Sequence, residues 1–174
     1  MIFNVGKRRQ RQLNAAQGYL ILDMPDQALG ELEGVGDPGD SAFEWHVLRA
    51  EALRAKRDHH GALESFMAAQ QICADDLGVL LGMAWCYKRI DQLDKSIETM
   101  RLAYQSHSEV PIVLYNLACY YSLASEKERA LSWLGRALRM DRGLLKLIPD
   151  ETDFDSLRDD SDFVLLLDLV TAES

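Results

Sequence analysis

Hydrophobic and polar residues between positions 9 and 140 alternate with a period of about 3.6 residues, which is the period of α-helices that bury one face. The pattern predicts eight helices with short polar turns between them, near residues 9–22, 25–35, 42–56, 60–73, 77–89, 93–106, 111–124 and 127–140. Aspartate and serine in the turns are expected to cap the following helices, because their side-chain oxygens accept hydrogen bonds from free backbone N–H groups. The chain is therefore predicted to be all-helical.

The same pattern recurs every 34 residues. Small residues hold two of the recurring places: Ala28, Ala62, Ser96 and Ala130, and twelve residues before them Ala16, Ala50, Ala84 and Ala118. Large residues hold two more: Tyr19, Leu53, Tyr87 and Tyr121, and Leu32, Phe66, Met100 and Leu134. A fifth series is Val35, Ala69, Ala103 and Ala137. A fixed period of this length is typical of repeat proteins that stack one helical unit on the next.

These series resemble the tetratricopeptide-repeat (TPR) family, whose unit is a helix–turn–helix of about 34 residues. The resemblance implies an all-α fold, a right-handed superhelical solenoid of four TPR units plus C-terminal capping helices. The expected boundaries are an N-terminal extension at 1–8, repeats at 9–42, 43–76, 77–110 and 111–144, and a C-terminal capping segment at 145–174. The small residues would let paired helices approach to about 8–10 Å between axes.

The C-terminal segment departs from the 34-residue rhythm and leaves two alternatives open. Phe163, Leu166, Leu167 and Val170 would share one face of a helix, which Ser161 could cap. The segment could cover the exposed face of the last repeat, as solenoids need for solubility. Alternatively, it could dock in the binding groove of this molecule or of a neighbour.

Charge is unevenly distributed in this acidic chain, whose net charge is −9. That balance argues against nucleic acid as a partner, because phosphate binding needs a cationic face. Residues 1–11 carry four basic and no acidic side chains, whereas residues 150–174 carry nine acidic side chains and one basic. The two ends are expected either to be solvated or to associate head to tail, which would give a weak homo-oligomer.

No segment predicts a membrane span or a secretion signal, so no membrane partner is expected. The three widely spaced cysteines form no paired framework, which suits a reducing compartment and predicts a cytoplasmic protein. Cys86 and Cys119 are interpreted as small residues that pack between helices, and His59 and His60 as solvated turn residues. No catalytic motif is apparent, so neither enzymatic activity nor a cofactor or metal is expected.

TPR proteins generally bind a peptide along a concave face lined by the first helix of each repeat. The resemblance carries those groove positions onto Leu13, Gln17, Leu20, Val47, Glu51, Arg54, Leu81, Trp85, Lys88, Arg89, Ile112, Tyr115, Asn116, Cys119 and Ser122. Trp85 and Tyr115, flanked by basic side chains, have the composition of a binding hot spot. Gly78 and Gly82 would leave space for a ligand to approach the helix. The alternative is that Trp85 has a structural role and packs against the C-terminal tail or a neighbouring helix.

The predicted function is a non-enzymatic protein-interaction module whose partner is a protein or peptide with apolar and acidic groups. Two alternatives remain at this stage. The chain could be a self-associating scaffold, or it could be a secretion-type chaperone for an exported partner.

Overall fold

A computed structural model describes residues 2–172, with side chains described from Gly6 onward. Nine α-helices lie in this part of the chain: α1 Ile2–Ile21, α2 Pro25–Val35, α3 Ala42–Ala55, α4 His59–Ile72, α5 Leu77–Arg89, α6 Leu93–Ser106, α7 Pro111–Leu123, α8 Lys127–Met140 and α9 Ser161–Ala172. The eight helices predicted from the periodicity are confirmed to within two residues at nearly every end. The exception is α1, which begins at Ile2 rather than near Arg9 and so includes most of the expected extension.

Contacts along the chain divide it into two compact units, of which the first ends at Asp91 and the second begins at Gln92. In the first unit α1 pairs with α2 and α3 pairs with α4, while α2 also contacts α3 and α4 contacts α5. In the second unit α7 contacts α6 and α8, and α9 packs on α8. Within each unit, helices that follow one another in the chain therefore cover apolar sides of their neighbours, as stacked helical units require.

The recurring small residues lie where the helices of each unit meet. All eight have no exposed surface: Ala16, Ala28, Ala50, Ala62, Ala84, Ser96, Ala118 and Ala130. Their large partners Leu32, Phe66, Met100 and Leu134 are at most 1% exposed. This burial confirms the physical basis of the 34-residue pattern, which is close helix approach at small residues and space filling beside them.

Four turns between consecutive helices have a residue with a positive φ angle, and these four residues are 34 positions apart. Asp23, Arg57, Asp91 and Ser125 all have positive φ angles, of 55°, 63°, 59° and 60° respectively. Asp58 caps α4 as expected, accepting a hydrogen bond from the Gly61 N–H at 2.9 Å. The expectation for the other three turns is wrong, because the residues before α2, α6 and α8 are Met24, Gln92 and Glu126, which form no side-chain cap. The aspartate or serine of each of these turns lies one residue before the capping position, in the stretch that follows the end of the preceding helix.

Arg57→Gly is expected to raise the free energy of unfolding by about 0.5–1 kcal/mol. A left-handed conformation costs an ordinary residue about 1–2 kcal/mol, and the greater freedom of glycine in the unfolded chain offsets part of the gain. Urea unfolding followed by circular dichroism measures the difference. Arg57→Ala is the matched control, because it removes the same side chain and keeps the strain. Equal stabilities for the two variants would contradict the prediction.

The C-terminal segment consists of three short 3₁₀ turns, at Arg142–Lys146, Ile148–Asp150 and Thr152–Leu157, followed by α9. Phe163 and Val170 are buried and Leu166 and Leu167 half-buried, as the predicted apolar face requires. The expected cap is wrong by one residue. Asp160 accepts hydrogen bonds from the N–H groups of Asp162 (3.0 Å) and Phe163 (3.3 Å), because Ser161 is already the first residue of the helix. Between residues 2 and 172, no helix has both the length and the apolar character needed to cross a membrane.

Candidate functional site

Trp85 lies at the centre of a cluster of cationic and aromatic side chains in the first unit. Arg89 is one helical turn further along α5, and its guanidinium carbon lies 4.9 Å from the centre of the indole ring. Arg54 of α3 lies over the same ring at 5.2 Å. His59, the first residue of α4, meets the indole edge-on, with ring centres 5.1 Å apart and planes at 79°. Three helices thus converge on one half-buried tryptophan.

A pocket of about 380 Å³ opens beside this tryptophan. Its lining residues are Arg54, Ala55, Arg57, His59, Trp85 and Arg89. Glu51 holds Arg54 in place through the guanidinium, whose Nε lies 2.9 Å from the carboxylate oxygen Oε2. The pocket therefore combines an aromatic face with a surplus of positive charge, in a chain whose net charge is −9.

His59 adds a polar group that the fold leaves unsatisfied. Its Nδ1 atom is buried and finds no hydrogen-bond partner in the part of the chain that the structure describes. Burial lowers the pKa of His59 below its usual value, and the nearby charge of Arg89 lowers it further. The imidazole is therefore neutral near pH 7, and the positive charge of the pocket comes from its arginines.

The structure brings some of the predicted groove residues together around this pocket. Arg54, Trp85 and Arg89 line it, and Glu51 supports it from behind. Lys88 is half-buried and is not among the lining residues. The expectation that His59 is simply solvated is wrong. Sequence reasoning also missed Arg57, because no spacing rule places the α3–α4 turn beside a side chain of α5.

Other predicted groove residues differ in how far they are exposed. Leu13 is 0% exposed and packs in the apolar core formed by α1, α2 and α3. Val47 packs against the core cluster around Phe66, and Leu20 against the core that contains Leu13. At Leu13 the helical face predicted to be concave is occupied by neighbouring helices of the same unit. Val47 and Leu20 stay half-buried, as does Trp85, which packs against the same cluster as Val47. Gln17 is exposed, and Leu81, Ile112 and Asn116 are half-buried.

The expectation about Gly82 is also wrong. A β-carbon at this position would lie 2.4 Å from Cζ of Phe66, so the space left by the missing side chain is filled by that ring. Phe66 itself is 0% exposed. The glycine therefore serves close packing between α4 and α5 and does not admit a ligand. A β-carbon added at Gly78 would have Oδ1 of Asp76 as its nearest neighbour, at 3.3 Å.

In the second unit the C-terminal segment covers the face of α7 that was predicted to line a groove. Tyr115 is 2% exposed, and its ring meets Phe154 edge-on with centres 5.7 Å apart. Cys119 and Ser122, on the same face, are 1% and 2% exposed. Tyr115 lies against Phe154, and Cys119 lies beside Glu151 and Asp153, since Thr152–Leu157 packs on α7. The following helix, α9, packs on α8. The segment thus covers both helices of the last predicted repeat.

Comparison with solved structures relates this arrangement to known proteins. A crystal structure of MamA superposes with a TM-score of 0.72 at 14% sequence identity, covering 79% of this chain and 81% of that one. MamA (41-end) of Desulfovibrio magneticus RS-1 gives a TM-score of 0.71 at 14% identity, covering 96% and 97% of the two chains. A thermophilic TPR protein of Thermus thermophilus gives 0.53 at 17% identity, covering 82% and 96%.

The chain has the fold of the TPR proteins. No protein-family model and no curated protein sequence matches it. The all-α solenoid predicted from the repeat is therefore confirmed by structural similarity. The TPR fold is in general a protein-interaction fold, since its stacked helices build extended binding surfaces.

Proposed function

We propose that this TPR protein is a non-enzymatic interaction module, and that it binds a partner protein or peptide at the pocket beside Trp85. The observation that carries the proposal is the convergence of Arg54, Arg89 and His59 on one half-buried indole ring next to an open cavity. Tryptophan and arginine are the residue types most enriched among binding hot spots.

The pocket suggests the chemistry of the partner segment. An apolar side chain would lie against the indole and the methylene groups of the arginines. A neighbouring carboxylate would accept hydrogen bonds from Arg89 and Arg57, whose planar guanidinium groups match carboxylate geometry. We therefore propose a segment with an apolar residue next to an aspartate or glutamate.

Trp85→Ala is expected to weaken partner binding by about 1–3 kcal/mol and to leave the fold intact. A peptide library displayed on phage and selected on the full chain would supply defined ligands, whose affinities are then measured by isothermal titration calorimetry. Selected peptides should be enriched in acidic residues next to an apolar one, and they should bind Arg89→Ala less tightly as well.

Trp133→Ala is the matched control, because Trp133 is also half-buried and is stacked by Arg136 at 4.3 Å, but belongs to the second unit. The control should bind the selected peptides like the native chain. Loss of helical circular dichroism in Trp85→Ala would show that Trp85 is a core residue. Unchanged affinity in a folded Trp85→Ala would exclude this pocket as the binding site.

The scaffold alternative, in which the acidic C-terminal segment meets a basic N-terminus of another copy, has less support. Lys127 lies 2.6 Å from Asp160 and 2.7 Å from Asp162, and Asp155 pairs with Arg158 at 2.7 Å. Hydrogen bonds to Asp160 and Asp162 raise the pKa of Lys127 to about 12. Three of the segment's carboxylates are thus engaged within the second unit itself, which reduces the charge available for association.

A further inference from the structure

A buried group of metal-ligating side chains lies between α7 and the turn at Thr152–Leu157. The Cys119 sulfur and one carboxylate oxygen each from Glu151 and Asp153 all lie within 4.8 Å of one another. Cys119 is 1% exposed and Asp153 is 7% exposed, whereas Glu151 is half-buried at the rim. Acidic groups cluster often on protein surfaces, whereas an aspartate is rarely as buried as Asp153 is here.

Two buried hydroxyl groups on the same face of α7 find no hydrogen-bond partner among the described residues. They are Oη of Tyr115 and Oγ of Ser122, four residues before and three residues after Cys119. Tyr115 packs edge-on against Phe154, the residue that follows Asp153, so its hydroxyl lies at the interface that contains the cluster. Buried polar groups without partners are rare and commonly mark a bound ion or an ordered water molecule.

The charges of this interface also favour a bound cation. The guanidinium of Arg158 is near, but it donates to the carbonyl oxygens of Pro149 (3.1 Å) and Glu151 (3.0 Å) and pairs with Asp155. It therefore holds the turn in place and compensates one negative charge. Because Arg158 is paired with Asp155, the carboxylates of Glu151 and Asp153 are left with two negative charges, which a divalent cation would offset.

We propose that Cys119, Glu151 and Asp153 bind a Zn²⁺ ion, which joins the C-terminal segment to α7. A sulfur ligand with two oxygen ligands suits zinc. Magnesium and calcium fit less well, because both ions prefer oxygen ligands alone. Three protein ligands leave a fourth tetrahedral position for a water molecule beside the Tyr115 hydroxyl. On coordination the Cys119 thiol loses its proton to solvent and a sulfur–zinc bond forms.

The ligand atoms need only a small adjustment to meet an ion. Bonds of about 2.0–2.3 Å place tetrahedral zinc ligands roughly 3.3–3.8 Å apart, slightly closer than the upper separation within this group. Glu151 lies at the half-exposed rim, where its Oε1 accepts a hydrogen bond from the Asp153 N–H at 3.2 Å. That bond holds the carboxylate beside Asp153, and a carboxylate can accept it while its other oxygen binds a metal. The ion would hold the segment that covers Tyr115, a role distinct from partner binding at Trp85.

Cobalt substitution tests the proposal on the full chain. The protein is stripped of metal with a chelator and titrated with Co²⁺, whose bond to a thiolate gives a charge-transfer band in the near ultraviolet. We expect one Co²⁺ per chain, displacement of the band by Zn²⁺, and an increase in the midpoint of thermal unfolding on adding Zn²⁺. No band, or no change in the unfolding midpoint, would overturn the proposal.

Matched variants locate the site. Cys73 is the natural competitor, because its sulfur lies 3.8 Å from a carboxylate oxygen of Asp75 in the first unit. Cys73→Ser should keep the band, and Cys119→Ser should abolish it. Glu151→Gln alters a rim residue without changing the packing, and should lower the Co²⁺ affinity at least tenfold in a folded chain. A band that survives Cys119→Ser but disappears in Cys73→Ser, or full affinity in Glu151→Gln, would refute the assignment.

Discussion

Phe154→Ala is expected to lower the free energy of unfolding by about 3–5 kcal/mol, the usual cost of removing a fully buried phenylalanine ring. Phe154 is 0% exposed. Its ring contacts Tyr115 at 5.7 Å and Phe163 at 5.6 Å between centres, so it connects its own 3₁₀ turn to α7 and to α9. Removing it leaves a cavity at the point where the C-terminal segment is attached.

Urea unfolding gives the total loss, and amide hydrogen exchange of α7 shows whether the loss falls on the second unit. Leu165→Ala is the matched control, because Leu165 lies in the same segment but is 56% exposed, and its replacement should cost less than about 0.5 kcal/mol. If the two variants lose the same stability, the C-terminal segment is not part of the core of the second unit.

Phe66→Ala is expected to cost about 3–5 kcal/mol for the same reason, and its effect should depend strongly on Gly82. In the native chain, Gly82→Ala would drive a methyl group to 2.4 Å from the Phe66 ring and cost about 1–3 kcal/mol. In the Phe66→Ala background the same methyl group fills part of the cavity. There Gly82→Ala should be neutral or stabilising, with a coupling energy of about 1–3 kcal/mol between the two sites.

Denaturant unfolding of the two single variants and the double variant measures this coupling. Gly30→Ala is the control for helix propensity, because Gly30 lies within α2 and a β-carbon there would meet nothing within 4 Å. It should raise the free energy of unfolding by about 0.8–1.0 kcal/mol, so the same substitution has opposite signs at two helical glycines. Additive effects of Phe66→Ala and Gly82→Ala would show that the ring does not occupy the space at Gly82.

Gly82 is a residue whose role could not be predicted from the sequence. Two glycines one turn apart can indicate space for a ligand or close contact with another helix, and periodicity does not distinguish the two. The deciding residue, Phe66, is sixteen positions earlier and belongs to a different helix. The groove interpretation failed similarly at Tyr115 and Cys119, because the segment that covers them lies more than thirty residues further along the chain.

Around Trp85 the sequence was more informative. Arg89 is one helical turn from Trp85 on α5, so their proximity is a local property that helical spacing predicts. Arg54 came from the carry-over of groove positions from the TPR family, which lie on the first helix of each repeat. His59 could not be found in either way, since its contact with the indole depends on how the α3–α4 turn meets α5.

The amino-acid pattern was sufficient to predict that this chain is a helical repeat protein and to place nearly all of its helix ends. Small side chains recurring every 34 residues are a periodic signal, and close helix packing is possible only where such residues occur. Tertiary structure alone decided which helical faces stay open, because a face is buried or exposed according to segments distant in sequence. For that reason the pocket beside Trp85 and the thiol–carboxylate cluster behind Phe154 became visible only in the folded chain.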